Sequence, residues 1–153
     1  MKIAIVSDTH DNMANFNKAI DFLNKEKIGI ILHCGDVCNR ETIDEVVKNF
    51  KGEIHFVRGN GDFDVLNLPE VMELSFGAKR IAFVHYPNKA KDLAESKNYD
   101  IVFYGHTHKP WEEKIGDCRF INPGELAGQR YKPCFAIYDT KTDKLELKIL
   151  EKL

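Results

Sequence analysis

Short apolar runs in this chain end, one after another, on Asp, Asn or His. Ile3–Ser7 leads into Asp8-Thr9-His10, Ile28–His33 into Cys34-Gly35-Asp36, and Ile54–Val57 into the Gly59-Asn60-Gly61-Asp62 block. Arg80–His85 ends on His85 itself, and Ile101–Tyr104 runs into Gly105-His106-Thr107-His108. Runs of this length, rich in β-branched residues, read as buried strands, and their interiors have no role for a carboxylate or an imidazole. In α/β sheets, ligands collect outside the carboxyl ends of the strands. Five strand ends that deliver Asp, Asn and His therefore predict a fold that gathers them at one edge. Glycine beside three of these blocks permits tight turns and close approach of other groups.

The segments between the runs fit that expectation. Asp11 or Asn12 can cap a helix with Met13, Phe16, Ile20 and Leu23 on one face, and Asn39 a second with Ile43, Val46, Val47 and Phe50 inward. Strand and helix alternate through the first half, which predicts βαβ crossovers and a parallel sheet. After Pro69 the pattern changes. Val71–Phe76 and Arg80–His85 flank Gly77-Ala78-Lys79 as a hairpin, Lys89–Lys97 reads as a short helix, and Glu112–Ile115 and Cys118–Ile121 flank Gly116-Asp117. Cys134–Tyr138 and Lys144–Leu150 suggest a last hairpin. Antiparallel pairing of this kind favours a mixed two-sheet α/β domain over one doubly wound sheet.

Composition sets the bounds. The 153 residues suit one domain over 1–153, a length that buries roughly 68–70% of its unfolded surface without staples. A net charge of −2 with interspersed Lys and Glu shows no basic stripe for nucleic acid. No apolar stretch approaches the roughly 20 residues of a membrane span, and none resembles a signal segment. Cys34, Cys38, Cys118 and Cys134 lack the paired spacing of a zinc site and read mostly as buried thiols. A cytoplasmic protein is the resulting expectation.

The polar strand ends carry the chemistry. Asp8, His10, Asp36, Asn60, His85, His106 and His108 exceed the about four protein ligands that one ion takes. Oxygen and imidazole donors without thiolate suit Mn, Fe, Zn, Ni or Co better than Ca or Cu(I). Two such ions would clamp a phosphoryl group and activate a water.

The order D-x-H, G-D, G-N-x-D, H, G-H-T-H resembles the calcineurin-like metallophosphoesterase superfamily. Short length, His33-Cys34-Gly35-Asp36 and Asn122-Pro123-Gly124-Glu125 make it most similar to the small bacterial and archaeal phosphodiesterases of that superfamily. The similarity runs from Met1 to about Asp139. It implies a four-layer α/β/β/α sandwich with two mixed sheets. It also implies one metal on Asp8, His10, Asp36 and His108, and a second on Asp36, Asn60, His85 and His106. Asp36 would bridge, and Asn60 would also meet the substrate. The expected cofactors are two divalent transition-metal ions, manganese first. The expected reaction is hydrolysis of a small phosphate ester, most of all a diester, by a metal-bridging hydroxide, so no side chain is assigned as nucleophile.

Two positions depart from the family pattern. Many members carry a His after the Asn of the third block, credited with protonating the leaving group, and this chain has Gly61. Members also commonly read His-Gly at the second histidine block, where this chain has His85-Tyr86-Pro87. Other residues have plain structural readings: His55 as a surface histidine, His33 as a hydrogen-bonded packing residue, and Arg58 as a solvated strand residue rather than a phosphate contact. Asp62 either caps a helix or orients the site. Tyr86, Trp111 and Tyr131 either pack at a rim or stack on an aromatic leaving group.

Two competing functions share the fold. The small retromer subunit of eukaryotes resembles this chain in size and serves as a protein scaffold, which would make this a metal-binding interaction module of little activity. Loss of ligands would favour that alternative, and none of the seven is lost. A DNA nuclease would want a capping domain and a basic surface. Leu145, Leu147 and Ile149 near the carboxyl end suggest an apolar strand edge for a homodimer or larger assembly.

Overall fold

A computed structural model describes residues 1–153. The first half alternates as the sequence predicts. Strand β1 (Lys2–Val6) is followed by helix α1 (Met13–Lys25), β2 (Ile30–His33), α2 (Arg40–Asn49) and β3 (Glu53–Phe56). These three strands are parallel, in the order β1-β2-β3. Further strands are β4 (Val71–Phe76) and β5 (Lys79–Val84), then α3 (Pro87–Glu95), β6 (Ile101–Phe103), β7 (Trp111–Ile115) and β8 (Cys118–Asn122). The chain closes with β9 (Cys134–Asp139), β10 (Lys144–Ile149) and a short 3-10 turn.

Two mixed sheets of five strands result, in the orders β10-β9-β1-β2-β3 and β4-β5-β6-β8-β7. The period-2 alternation of the strands decides what lies between the layers. Ile3 and Ile5 of β1, Leu32 of β2 and Tyr138 of β9 turn inward, where they meet Ile81, Phe83, Ile101 and Phe103 of the second sheet. Their neighbours Ala4, Val6, Ile31, Phe135 and Ile137 point the other way, against Phe16, Ile20 and Leu23 of α1 and Ile43 and Val46 of α2. On the far side, Ala82, Val84 and Val102 pack with Ala90 and Ala94 of α3. The order of layers is helix, sheet, sheet, helix, as the family resemblance implies.

Each helix start has a local cause. Asn12 Oδ1 accepts the N–H of Asn15 at 3.1 Å and Asn39 Oδ1 that of Thr42 at 2.9 Å, each satisfying a donor at a helix start. Helix α3 starts at Pro87, where a missing N–H costs nothing, two residues earlier than the sequence suggests.

One expected core residue is displaced. Val47 is 53% exposed rather than inward. Thr42 takes the buried place, because its hydroxyl donates to Asp11 Oδ1 at 2.8 Å and turns that side of α2 toward the loop after β1. At the carboxyl end, β10 is a free edge, but Leu145 packs toward the layer between the sheets. Only Leu147 of the expected apolar edge stands exposed. All four cysteines are free, and Cys38 alone is not buried. No helix is long and apolar enough to cross a membrane.

Side chains sealed between the sheets should carry stability that exposed helix positions do not. Phe103 is fully buried there, with its ring centroid 6.2 Å from that of Tyr138. Phe103→Ala should cost about 3–5 kcal/mol, whereas Val47→Lys should stay within about 0.5 kcal/mol of wild type. Urea unfolding of the two variants checks this, and equal costs would contradict the layer assignment.

Candidate metal centre

All seven side chains singled out from the sequence come together at the carboxyl ends of the parallel strands. The first sheet supplies Asp8 and His10 after β1, Asp36 after β2 and Asn60 after β3. His85 follows β5 of the second sheet, and His106 and His108 follow β6. Asp8, Asp36, His85 and His108 are buried, while Asn60 and His106 are exposed at the mouth.

The donors fall into two overlapping groups, each compact enough to share one ion. Asp8, His10 and His108 form one, and Asp8, Asp36 and His85 the other. His10 Nε2 and His108 Nε2 are 3.3 Å apart, and His108 Nε2 lies 3.2 Å from Asp8 Oδ1. On the other side, Asn60 Oδ1 is 2.9 Å from both His85 Nε2 and His106 Nδ1. Asp36 Oδ2 stands between, 3.4 Å from His10 Nε2 and 3.5 Å from His85 Nε2.

Several features fit a cation. Asp8 Oδ1 is buried without a hydrogen-bond partner, an expensive state for a carboxylate oxygen unless something positive meets it. Imidazole nitrogens also approach each other in two pairs at 3.3 Å, His10 Nε2 with His108 Nε2 and His106 Nδ1 with His85 Nε2. The backbone is held open at some cost as well. Asp8, His10, Asp36, His106 and His108 all have φ between 44° and 69°, the left-handed region that non-glycine residues avoid. Such conformations collect where the surroundings enforce a functional geometry.

The enforcing contacts are visible. Asp8 N–H donates to Gly35 O, and the N–H groups of Thr9 and His10 both donate to Asp36 O, each at 3.0 Å. Asp62 resolves to the orienting role. Its carboxylate accepts the N–H of Asp36 at 3.0 Å, Cys38 at 2.7 Å and Gly59 at 2.7 Å. Close approach requires glycine beside the donors. A Cβ on Gly59 would lie 2.1 Å from Asp36 Oδ1, and one on Gly105 2.1 Å from Ser7 Oγ.

The electrostatics follow the geometry. Burial pushes the Asp8 carboxyl up, but the imidazoles of His10 and His108, the charge of His85 and the Ser7 hydroxyl reverse this and hold it well below the usual range. The Asp8 carboxylate in turn raises His10, to about 10, with Cys38 and Asp36 adding to it. His108 is raised by Asp8 and by Glu125. Burial and the neighbouring His85 lower His106. Protons therefore compete for the donor group formed by Asp8, His10 and His108.

Other residues take the plain roles expected of them, with one addition. His33 is fully buried, its Nε2 2.8 Å from Thr9 Oγ1 and its Nδ1 accepting the N–H of Gly35. Arg58 is spent on Glu70 and the carbonyl of Leu66 and does not enter the site. Trp111 lies under Lys109 and is half exposed. Tyr86 stands at the rim, its ring 5.1 Å from that of His85 and 5.4 Å from that of His106. The addition is Glu125, fully buried and 2.8 Å from His108 Nδ1. It follows the end of β8, so the rule that polar residues after strand ends build the site would have found it.

Known proteins match this arrangement. Residues 1–143 match the calcineurin-like phosphoesterase superfamily domain. A phosphodiesterase of Methanocaldococcus jannaschii is 32% identical over 167 residues, covering 99% of this chain and all of the relative. The solved structure of an archaeal phosphodiesterase superposes with a TM-score of 0.87 at 29% identity, over 97% of this chain and 99% of the other. Vps29 of Chaetomium thermophilum shares the fold at 20% identity, with a TM-score of 0.79 over 97% of this chain and 94% of its own.

The buried His33 generates a pH test. Burial depresses its pKa from 6.5 to about 4. The unfolded chain thus takes up the proton first, so His33's contribution is complete above pH 6.5 and is lost as pH falls toward about 4. The stability gap between wild type and His33→Gln should narrow across that window in urea titrations of the metal-free protein. A gap independent of pH would show that His33 is not held neutral.

Proposed function

The chain belongs to the calcineurin-like phosphoesterase superfamily, a family of metal-dependent hydrolases of phosphoric esters, and from that premise we propose that it cleaves a small phosphodiester at a centre of two divalent transition-metal ions. The observation that carries this is the buried, unpartnered Asp8 Oδ1 set among imidazole nitrogens and a second carboxylate. One ion falls to Asp8, His10, Asp36 and His108, and the other to Asp36, Asn60, His85 and His106. Asp36 as the shared ligand is supported by its Oδ2, nearly equidistant from His10 and His85. Manganese is the first choice, then Fe, Zn, Ni or Co, because carboxylate and imidazole donors are mixed without thiolate.

Two divalent ions held by these residues would supply an activated water and would offset charge developing on the phosphoryl oxygens. The protein's own part is placement. Asn60 turns Oδ1 toward the imidazoles, which leaves its amide nitrogen to donate to a phosphoryl oxygen. Tyr86, 42% exposed beside His106, offers an aromatic wall to the leaving group. The layer of left-handed turns keeps both carboxylates in place before substrate arrives, so little reorganisation remains. Pairing of two copies through the free edge of β10 belongs to the same proposal, and a monomer in light scattering at high micromolar concentration would remove it.

Metal content is the first test. The protein should bind two ions per chain, by metal analysis and by anomalous scattering from metal-soaked crystals, and chelation should abolish hydrolysis. One ion at saturating metal, with His85 and His106 turned away, would overturn the reading.

Leaving-group dependence is the second. Proton donation to a departing alkoxide contributes typically 10²–10⁴-fold, and Gly61 offers no donor where related enzymes are expected to carry one. Aryl diesters should therefore be favoured, with rates falling steeply as leaving-group pKa rises. Gly61→His should flatten that dependence. Its backbone is not in the left-handed region, but a Cβ would sit 3.3 Å from Asp36 Cγ and from Cys38 Sγ. Metal occupancy of the variant is therefore measured first. A wild-type rate indifferent to leaving-group pKa, where chemistry limits, would mean that another donor serves.

A further inference from the structure

Glu125 lies outside the seven donors, yet its carboxylate is fully committed. Oε2 is 2.8 Å from His108 Nδ1 and accepts the N–H of Gln129 at 3.0 Å. Oε1 accepts the N–H groups of Arg130 and Tyr131, both at 2.6 Å. Three backbone N–H groups converge on its two oxygens, a donor set that suits an ionised carboxylate and leaves its hydrogen-bonding needs to donors alone. An ionised carboxylate only accepts, so His108 must donate from Nδ1. Its Nε2 is then directed at Asp8 Oδ1.

The other imidazoles are backed differently. His85 Nδ1 meets the backbone carbonyl of Cys34 at 2.8 Å, and His10 Nδ1 meets Cys38 Sγ at 3.6 Å. A carboxylate behind a ligating imidazole fixes its tautomer and raises its basicity more than an uncharged carbonyl does. The two sides of the centre are thus supported unequally.

Resting on the two-ion reading above, we propose that Glu125 is a positioning residue that makes the half-sites unequal, so that the ion among Asp8, His10 and His108 binds first and more tightly than the ion among Asn60, His85 and His106. The same carboxylate ties the exposed segment Gly128–Lys132 to that tighter half-site, because three of the segment's N–H groups converge on it.

Titration calorimetry of metal-free protein with Mn²⁺ tests this without recourse to activity. Wild type should show two steps at least about tenfold apart in affinity. Glu125→Gln keeps the shape and loses the charge. It should weaken the tighter step by about 10–100-fold and leave the weaker step unchanged, and Glu125→Asp should recover part of the loss. Weakening of both steps alike, or of neither, overturns the proposal. Wild-type crystals soaked with one equivalent of Mn²⁺ give a reading that needs no variant to fold. The anomalous peak should lie among Asp8, His10 and His108, and a peak among Asn60, His85 and His106 alone overturns the assignment. A wild type that binds only one ion refutes the two-ion reading itself, whereas two equal steps refute the inequality alone.

Discussion

Asp8 and Asp36 are buried side by side, close enough to share an ion with His85. Carboxylates in such a place are each disfavoured by several kcal/mol relative to water unless positive or donating groups surround them. The neighbouring architecture supplies those groups. The Ser7 hydroxyl and the His106 N–H donate to Asp8 Oδ2, at 2.5 and 3.0 Å, and the Gly61 N–H to Asp36 Oδ1 at 2.7 Å. Donors are spent on one oxygen of each carboxylate, and the other oxygen is left toward the imidazoles. That asymmetry is what a metal centre requires, since a ligand oxygen already saturated by hydrogen bonds has no lone pair to give.

Holding this arrangement strains the backbone. Five of the seven proposed ligands lie at positive φ, and so do Asp11 and Cys38 beside them. Each such residue costs on the order of 1–3 kcal/mol. A small domain tolerates several only because the layers behind them are well packed and unstrained. The inward faces of β1, β2, β5, β6 and β9 consist of apolar residues in simple alternation, and the strain is confined to the turns at their ends.

Much of this was legible in the sequence, and the reason is the same division of labour. Apolar runs that stop abruptly at Asp, Asn or His mark both the strands and the candidate donors, so two sheets and seven side chains could be read off together. Features that depend on contacts between distant segments were less visible. The periodicity of α2 allows Val46 with Val47 or Thr42 with Val46 as the buried stripe, and the Thr42–Asp11 hydrogen bond selects the second. Asp62 could cap or orient, and only the folded chain brings it to the N–H of Asp36, 26 residues away. Glu125 stands three residues past the end of β8, within reach of the strand-end rule, but its tie to His108 Nδ1, 17 residues away, exists only in the folded chain.

The site also explains why the sandwich has two sheets pressed together. Asp8, His10, Asp36 and Asn60 hang from the first sheet, and His85, His106 and His108 from the second. Stacked sheets lie about 10 Å apart, so the distance between the two sets of donors is controlled by side chains such as Leu32, Phe83 and Phe103 in the layer between them. Polar contacts fasten the seam at the site end. His85 Nδ1 meets Cys34 O at 2.8 Å, and His106 N–H reaches Asp8 Oδ2 at 3.0 Å. A Cβ on Gly35 would lie 2.6 Å from His85 Nδ1, so the sheets approach too closely there for any side chain. Core volume and donor spacing are therefore one variable. A substitution deep between the sheets, touching no donor, would move His85 and His106 relative to Asp8 and Asp36, because close-packed interiors transmit strain instead of absorbing it.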